Sequence, residues 1–446
     1  MLFKKSTALG RSRYLHPAVI AMVALMFSLV SQFSVSEELS LARALQQTLS
    51  KNPILQGFVF HEREAEALRL QASIRPAPVV NFSVDNALGS NQFNDANSAE
   101  ITLGLSQLIE LGDKRAARIG LSDARWQSQL ANYEIARLET LAETSRRYYL
   151  LLEQQALTAN LNHREKLERA ALKAIKQRQA AGAIGSADSA KMQLRLTQTK
   201  MRQLRAKSET QHRKAQLAMM WLGESDFDHL QGSLTALPAV VDIDQLLTRV
   251  VESPRYQQKR MLNELALADI EKQRSLNQND ITIGAGVRRF EASNEQAFVF
   301  DISTPLTIDG SNRGNLAAAY SRQQWADTEQ LLTRKRLSLE LKNLAQRLAS
   351  YRLLTELIVD QQQPEAEQLL REVERGYQQG LYDVLQLVDA QNEVFLVKNE
   401  RIQLHRQLLL DRLEIERITG QPLLNASNQP IYRQSSKASK KSTAGV

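Results

Sequence analysis

Ile101-Thr102-Leu103-Gly104-Leu105-Ser106 leads into Leu108-Ile109-Glu110-Leu111-Gly112-Asp113-Lys114-Arg115-Ala116-Ala117-Arg118. From there residues 115–181 continue without a proline and with one interior glycine, Gly120. Two periods meet inside this stretch. The first part alternates apolar with small or polar residues, the pattern of a strand whose two faces differ. The second part is dominated by Leu, Ala, Arg, Glu and Gln, residues that lose little side-chain freedom in a helix. Its 67 residues would extend roughly 100 Å at 1.5 Å per residue. Helices of that length belong to coiled coils or repeats rather than to compact domains. The apolar stripe along it is modest (Leu130, Tyr133, Ala136, Leu141), so much of its surface stays wet.

Working outward, the same order of events occurs twice. Upstream, Val80, Phe82 and Val84 alternate with Asn81, Ser83 and Asp85, and the loop 89–98 separates them from the strand quoted above. In the second half Ile281, Ile283, Ala285 and Val287 alternate with Thr282, Gly284, Gly286 and Arg288, and Phe298, Phe300 and Ile302 follow with the same period. Ser40–Pro53 is echoed by Asp242–Pro254, each a short amphipathic helix with a polar start and a proline stop. The helix-breaking Gly182 and Gly380 lie 198 residues apart, and the closing Gly223 and Gly420 lie 197 apart. Self-similarity at a fixed offset marks a duplicated unit. The expected division is a first repeat over 37–223, with strands at about 77–88 and 99–107 and a hairpin over 115–220. A linker covers 224–241. The second repeat covers 242–420, with strands at about 280–290 and 296–305 and a hairpin over 315–418.

The two ends differ from this body. Lys4, Lys5, Arg11 and Arg13 precede an apolar run over 18–30, and the small Ser34 and Ser36 precede Glu37. That order reads as an export signal over 1–36, and 13 residues fall short of the ~20 needed for a spanning helix. Residues 421–446 form a tail with four basic residues and no acid. The net charge of +8 resides in these two ends, so the body is neutral, which argues against a nucleic-acid partner. The chain has no cysteine, which excludes disulfides, thiolate chemistry and a lipidated cysteine.

Each strand pair alone fits a soluble hairpin as well as a membrane one. If the strands cross a bilayer, four cannot close a barrel, and an open edge is not tolerated in lipid. Several chains would then have to pool them. An elongated soluble coiled coil explains the helices but has no use for the export signal or the strand pairs.

These features resemble the TolC-like outer-membrane efflux factors, and among them the CzcC-like branch that serves heavy-metal exporters of the resistance-nodulation-division type. The resemblance covers about residues 38–420. It rests on the duplicated order of elements, on Leu108–Arg118 and its later counterpart Pro305–Asn315, and on Arg375-Gly376-Tyr377-Gln378-Gln379-Gly380-Leu381 through Leu385–Gln391. It implies a mainly α protein with membrane β: a homotrimer pooling four strands per chain into a 12-stranded outer-membrane β-barrel in contact with lipid. The long hairpins would form an α-barrel across the periplasm. It further implies passive conduction without catalysis or cofactor, and as partners a periplasmic adaptor and an inner-membrane resistance-nodulation-division pump. A multidrug or type I secretion duct is the alternative within the same class, and an exported coiled-coil structural or adaptor protein the alternative outside it.

Four groups of residues carry the functional expectations. Gly182, Ala183, Ile184 and Gly185, with Gly380, Leu381 and Tyr382, would form the adaptor-docking tip, with Ile184, Leu381 and Tyr382 exposed; a simple helix reversal explains the glycines equally well. Asp188, Arg375, Asp383 and Asp389 would form a periplasmic gate. Gly112, Asp113 and Gly310 would turn strand into helix, with Lys114, Arg115 and Arg118 facing solvent or a neighbouring chain. Phe82, Ile101, Leu103, Ile283, Phe298 and Phe300 would meet lipid or pack, the choice of face being open. His61, His163, His212, His229 and His405 are scattered, so no metal site is expected.

Overall fold

The computed structural model describes residues 38–93, 96–234, 242–306 and 312–421. The expected export signal, Gly310 and most of the basic tail lie outside these residues. Ser40 caps α1 (Leu41–Lys51), its hydroxyl accepting the Arg43 N–H at 3.2 Å. The short α2 (Pro53–Gln56) and then α3 (Phe58–Ser73) lead to β1 (Val79–Asp85) and β2 (Glu100–Ile109). The long α4 (Lys114–Ala180) goes out and α5 (Ser186–Ala218) returns. The second half has the same order. Asp242 caps α6 (Ile243–Thr248), and Ser253 with Pro254 opens α7 (Pro254–Ser275). Then come β3 (Ile281–Phe290), β4 (Glu295–Ser303), α8 (Arg313–Leu357), α9 (Gln363–Gln379) and α10 (Val384–Thr419).

Gly120 sits inside α4 without interrupting it, and nothing lies within 4 Å of where its Cβ would be. Pro364 acts differently. A proline has no N–H to offer the carbonyl four residues back and crowds it. The outgoing helix of the second hairpin takes that up as one π turn, Ile358–Gln362, between α8 and α9.

These four strands form one antiparallel sheet in the order β1-β2-β3-β4, and among the described residues β1 and β4 are its free edges. Its register decides the faces. Phe82 pairs with Leu103, Leu103 with Val287, and Val287 with Phe298, giving one apolar row across the sheet. The neighbouring row is Val80, Leu105, Ala285 and Phe300, and Ile101 and Ile283 point the same way. The opposite face carries Asn81, Ser83, Thr102, Ser106, Arg288 and Asp301, with Gly104 against Gly286 between them. Every lipid candidate from the sequence thus falls on one face. Phe298 is 81% exposed and Phe82 68%, so nothing among the described residues covers that face.

The helices are held together by four buried clusters, one of them Ile358, Ala366, Val394 and Val397 beside the π turn. Tyr148, Leu151, Leu217, Trp221 and Leu230 pack where the end of α5 and the segment after it meet the middle of α4, and there Leu39 bridges to Leu230 as a short parallel pair. Burial pushes the Tyr148 phenol well above its ordinary value, so it stays protonated and donates to the Leu39 and Gln231 carbonyls. Leu337, Leu341, Leu408 and Ile415 are the counterpart in the second hairpin, packed on Leu246 and Val250. Far from the sheet, Leu172 and Ile175 of α4, Met192 and Leu196 of α5, Val373 and Tyr377 of α9, and Leu387 and Val388 of α10 form a third cluster that joins the hairpins. Between clusters, buried Glu153 of α4 meets Arg406 of α10 at 2.8 Å and Arg213 of α5 at 3.5 Å.

Candidate functional site

The tips of the two hairpins are built alike. At the end of α4, Gly182 (φ +74°) takes the left-handed conformation that a side chain disfavours; its N–H donates to the Gln179 carbonyl, and the Ala183 N–H reaches back to Arg178 O at 3.0 Å. At the end of α9, Gly380 (φ +79°) does the same, with Gly380 N–H to Tyr377 O at 3.2 Å and Leu381 N–H to Gly376 O at 2.8 Å. Each donor and acceptor in one tip is 198 residues from its counterpart in the other. The helix ends differ in what they expose. Leu381 is 73% exposed and Tyr382 is also exposed, whereas the first tip offers Ala183. Ile184, expected to be exposed, is partly buried instead, because the turn folds it back onto the cluster that contains Leu172, Met192 and residues of the second hairpin.

The next residues separate the tips further. Gly185 precedes α5 and has no side chain to cap it. Its counterpart Asp383 accepts the Gln386 N–H at 2.9 Å, while the Gln386 side chain accepts the Asp383 N–H, a reciprocal cap. Of the gate candidates, then, Asp383 is occupied in holding its own helix. Arg375 is paired along its own helix with Glu372 at 3.0 Å, both well exposed. Asp188 lies in the first turn of α5, and Asp389 is exposed on α10, where its charge is felt by Arg195. The four are not brought into one cluster within this chain.

A link between hairpins comes from a residue the sequence did not single out. The Arg178 guanidinium stacks over the Tyr377 ring, 4.3 Å from its centre, and donates to the Gln378 carbonyl at 3.1 Å. Gly376, the glycine inside α9, is explained here as well. The Tyr382 ring lies so close that a Cβ on residue 376 would come within 2.2 Å of it.

At the opposite end, Gly112 (φ +71°) and Asp113 (φ +55°) make the strand-to-helix turn with two successive left-handed residues. A side chain on residue 112 would meet Gln278 at 2.8 Å. Of the charges expected to face solvent here, Arg115 does, but Lys114 is buried and paired with Asp280 at 2.7 Å. Arg118 is bidentate to Glu110, which raises its pKa, and it also donates to the Ala72 and Ile74 carbonyls. Both find partners because the turn carries the helix start back over the ends of the strands. Among the described residues no three histidines, aspartates or glutamates converge as metal ligands, and no helix is long and apolar enough to cross a membrane.

Comparison with known proteins agrees with this geometry. Residues 44–221 match the family described as Outer membrane efflux protein. The chain is 24% identical over 352 residues to the cobalt-zinc-cadmium resistance protein CzcC of Cupriavidus metallidurans, covering 79% of this chain and 82% of that one. It is 25% identical over 280 residues to the nickel and cobalt resistance protein CnrC of the same organism, covering 62% and 66%. Among solved structures, CusC superposes with a TM-score of 0.69 at 16% identity, over 87% of this chain and 96% of that one.

Proposed function

We infer that this TolC-like outer-membrane efflux protein is the exit duct of a tripartite system that expels heavy-metal cations. The observation that carries the reading is the unfinished sheet. It is apolar on one face, polar on the other and open at both edges, and it is continuous with two long helical hairpins. Three copies pairing β4 of one with β1 of the next would close twelve strands and leave no edge in lipid. The face with Asn81, Thr102, Ser106 and Asp301 would line the water path. The hairpins would close beneath it as a tube across the periplasm, their tips meeting a periplasmic adaptor and, through it, an inner-membrane resistance-nodulation-division pump. No bond is made or broken; the duct conducts, and a conduit gains nothing by holding its cargo.

Metal cargo is supported by the names of the two curated relatives and by the length over which CzcC aligns. The test is deletion and complementation. Cells lacking this chain should lose tolerance to cobalt, zinc, cadmium or nickel while keeping tolerance to hydrophobic drugs, and the gene in trans should restore it. Unchanged metal tolerance with lost drug tolerance would move the duct to a multidrug system.

A further inference from the structure

The segment Glu110–Arg118 belongs neither to the tips nor to the sheet, yet its charges converge. Asp280 stands immediately before β3. Its Oδ1 accepts the Lys114 ammonium at 2.7 Å and the Leu111 N–H at 3.0 Å, and its carbonyl accepts the Thr304 hydroxyl, just past β4, at 2.9 Å. One turn along α4, Arg118 holds Glu110, just past β2, and the Ile74 carbonyl, on the approach to β1. The inner ends of β2, β3 and β4, and the segment leading into β1, are therefore tied to the first turn and a half of α4 or to the residue that holds it. The Lys114 side chain is only 9% exposed and that of Asp280 22%. Two left-handed residues between Leu111 and Lys114 leave the chain no regular ladder of its own there, so the direction in which α4 departs depends on these side chains.

We propose that Lys114 and Asp280 are a positioning pair, a joint that sets the angle at which the helical tube leaves the sheet and so keeps one water path continuous through both. The joint rests on the duct reading but is indifferent to the cargo. Asp280 belongs to the second repeat and Lys114 to the first, so the pair also clamps the repeats together beside the β2–β3 pairing, where Ile109 meets Ile281. Removing one partner leaves a largely buried charge without its counter-charge, whereas removing both leaves none.

The test uses the full-length protein in planar bilayers, with parent, Lys114→Met, Asp280→Asn and the double variant compared for single-channel conductance in potassium chloride and for heat resistance of the assembled protein. Asp280→Asn keeps an acceptor for Leu111 and deletes only the charge. Each single variant should conduct less, with frequent substates, and the double variant should return close to the parent. If one single variant fails to assemble, the comparison is made on the other, and failure of both to assemble counts against the joint, because it marks the pair as merely structural. Single variants that lose heat resistance but conduct like the parent would make the pair merely structural and overturn the joint. So would a double variant no better than either single one. A parent that does not conduct at all would sink the duct reading itself, an outcome separate from these.

Discussion

Gly182-Ala183-Ile184-Gly185 and Gly380-Leu381-Tyr382-Asp383 are the same turn made with different residues. Both use a left-handed glycine and the same two backbone hydrogen bonds to reverse the chain. The residues after that glycine have diverged. The first tip is small and uncapped, with its isoleucine folded inward, and α5 starts after a bare glycine. The second is apolar, exposed and held by a reciprocal cap, with its tyrosine laid over Gly376. At the position equivalent to Gly376, the first hairpin has Arg178, which reaches across to Tyr377. The two turns thus share the backbone reversal that the helix ends require and differ in their side chains: Arg178 of one hairpin grips the other, whose Leu381 and Tyr382 stay exposed.

If that division holds, the largest difference should appear in partner binding. Leu381→Asp should weaken adaptor affinity by about 2 kcal/mol or more, the loss typical of a central apolar anchor. Ala183→Asp should cost much less. Equal losses, measured by titrating the adaptor against each variant, would erase the distinction between the tips.

The shared part of the design predicts equality instead. Gly182→Ala and Gly380→Ala each place a side chain in left-handed backbone with open space around it, which should cost about 1–2 kcal/mol in each tip. Hydrogen exchange at the two turns measures this, and a large disparity would mean that one turn is supported by something besides its glycine.

Capping separates the tips by a smaller amount. Asp383→Ala should loosen the first turn of α10 by about 1 kcal/mol, seen as faster exchange of the Gln386 amide. The smallest effect runs the other way. Gly185→Asp should stabilise the start of α5 by a few tenths of a kcal/mol, roughly the gap between a glycine and an aspartate cap. A loss there would mean that the bare glycine serves the docking geometry.

Most of the architecture was legible along the chain because it is written in local periods. The length of α4 follows from residues 115–181 lacking a breaker, and the reversals follow from Gly182 and Gly380. The π turn before Pro364 was half legible, since the proline is visible but whether a helix kinks or widens depends on what packs beside it. The tip was legible as a place and not as a surface. Ile184 and Tyr382 stand at equivalent positions and are both large and apolar, and only the packing against Leu172, Met192 and Gly376 shows that one turns in and the other lies along its own helix.

By itself, the sequence determined which residues alternate, where the chain reverses and that it does so twice, because these depend on backbone preferences and on neighbours a few positions away. It could place Phe82, Leu103 and Phe298 each on one side of its own strand, but not all on the same side of one sheet. That needed the register, and a slip of one residue would have inverted any of them. The partners of these charged side chains were out of reach for the same reason. Lys114 finds Asp280 from 166 residues away and Arg178 finds Gln378 from 200, separations at which no local period carries information and only the packed fold decides what meets.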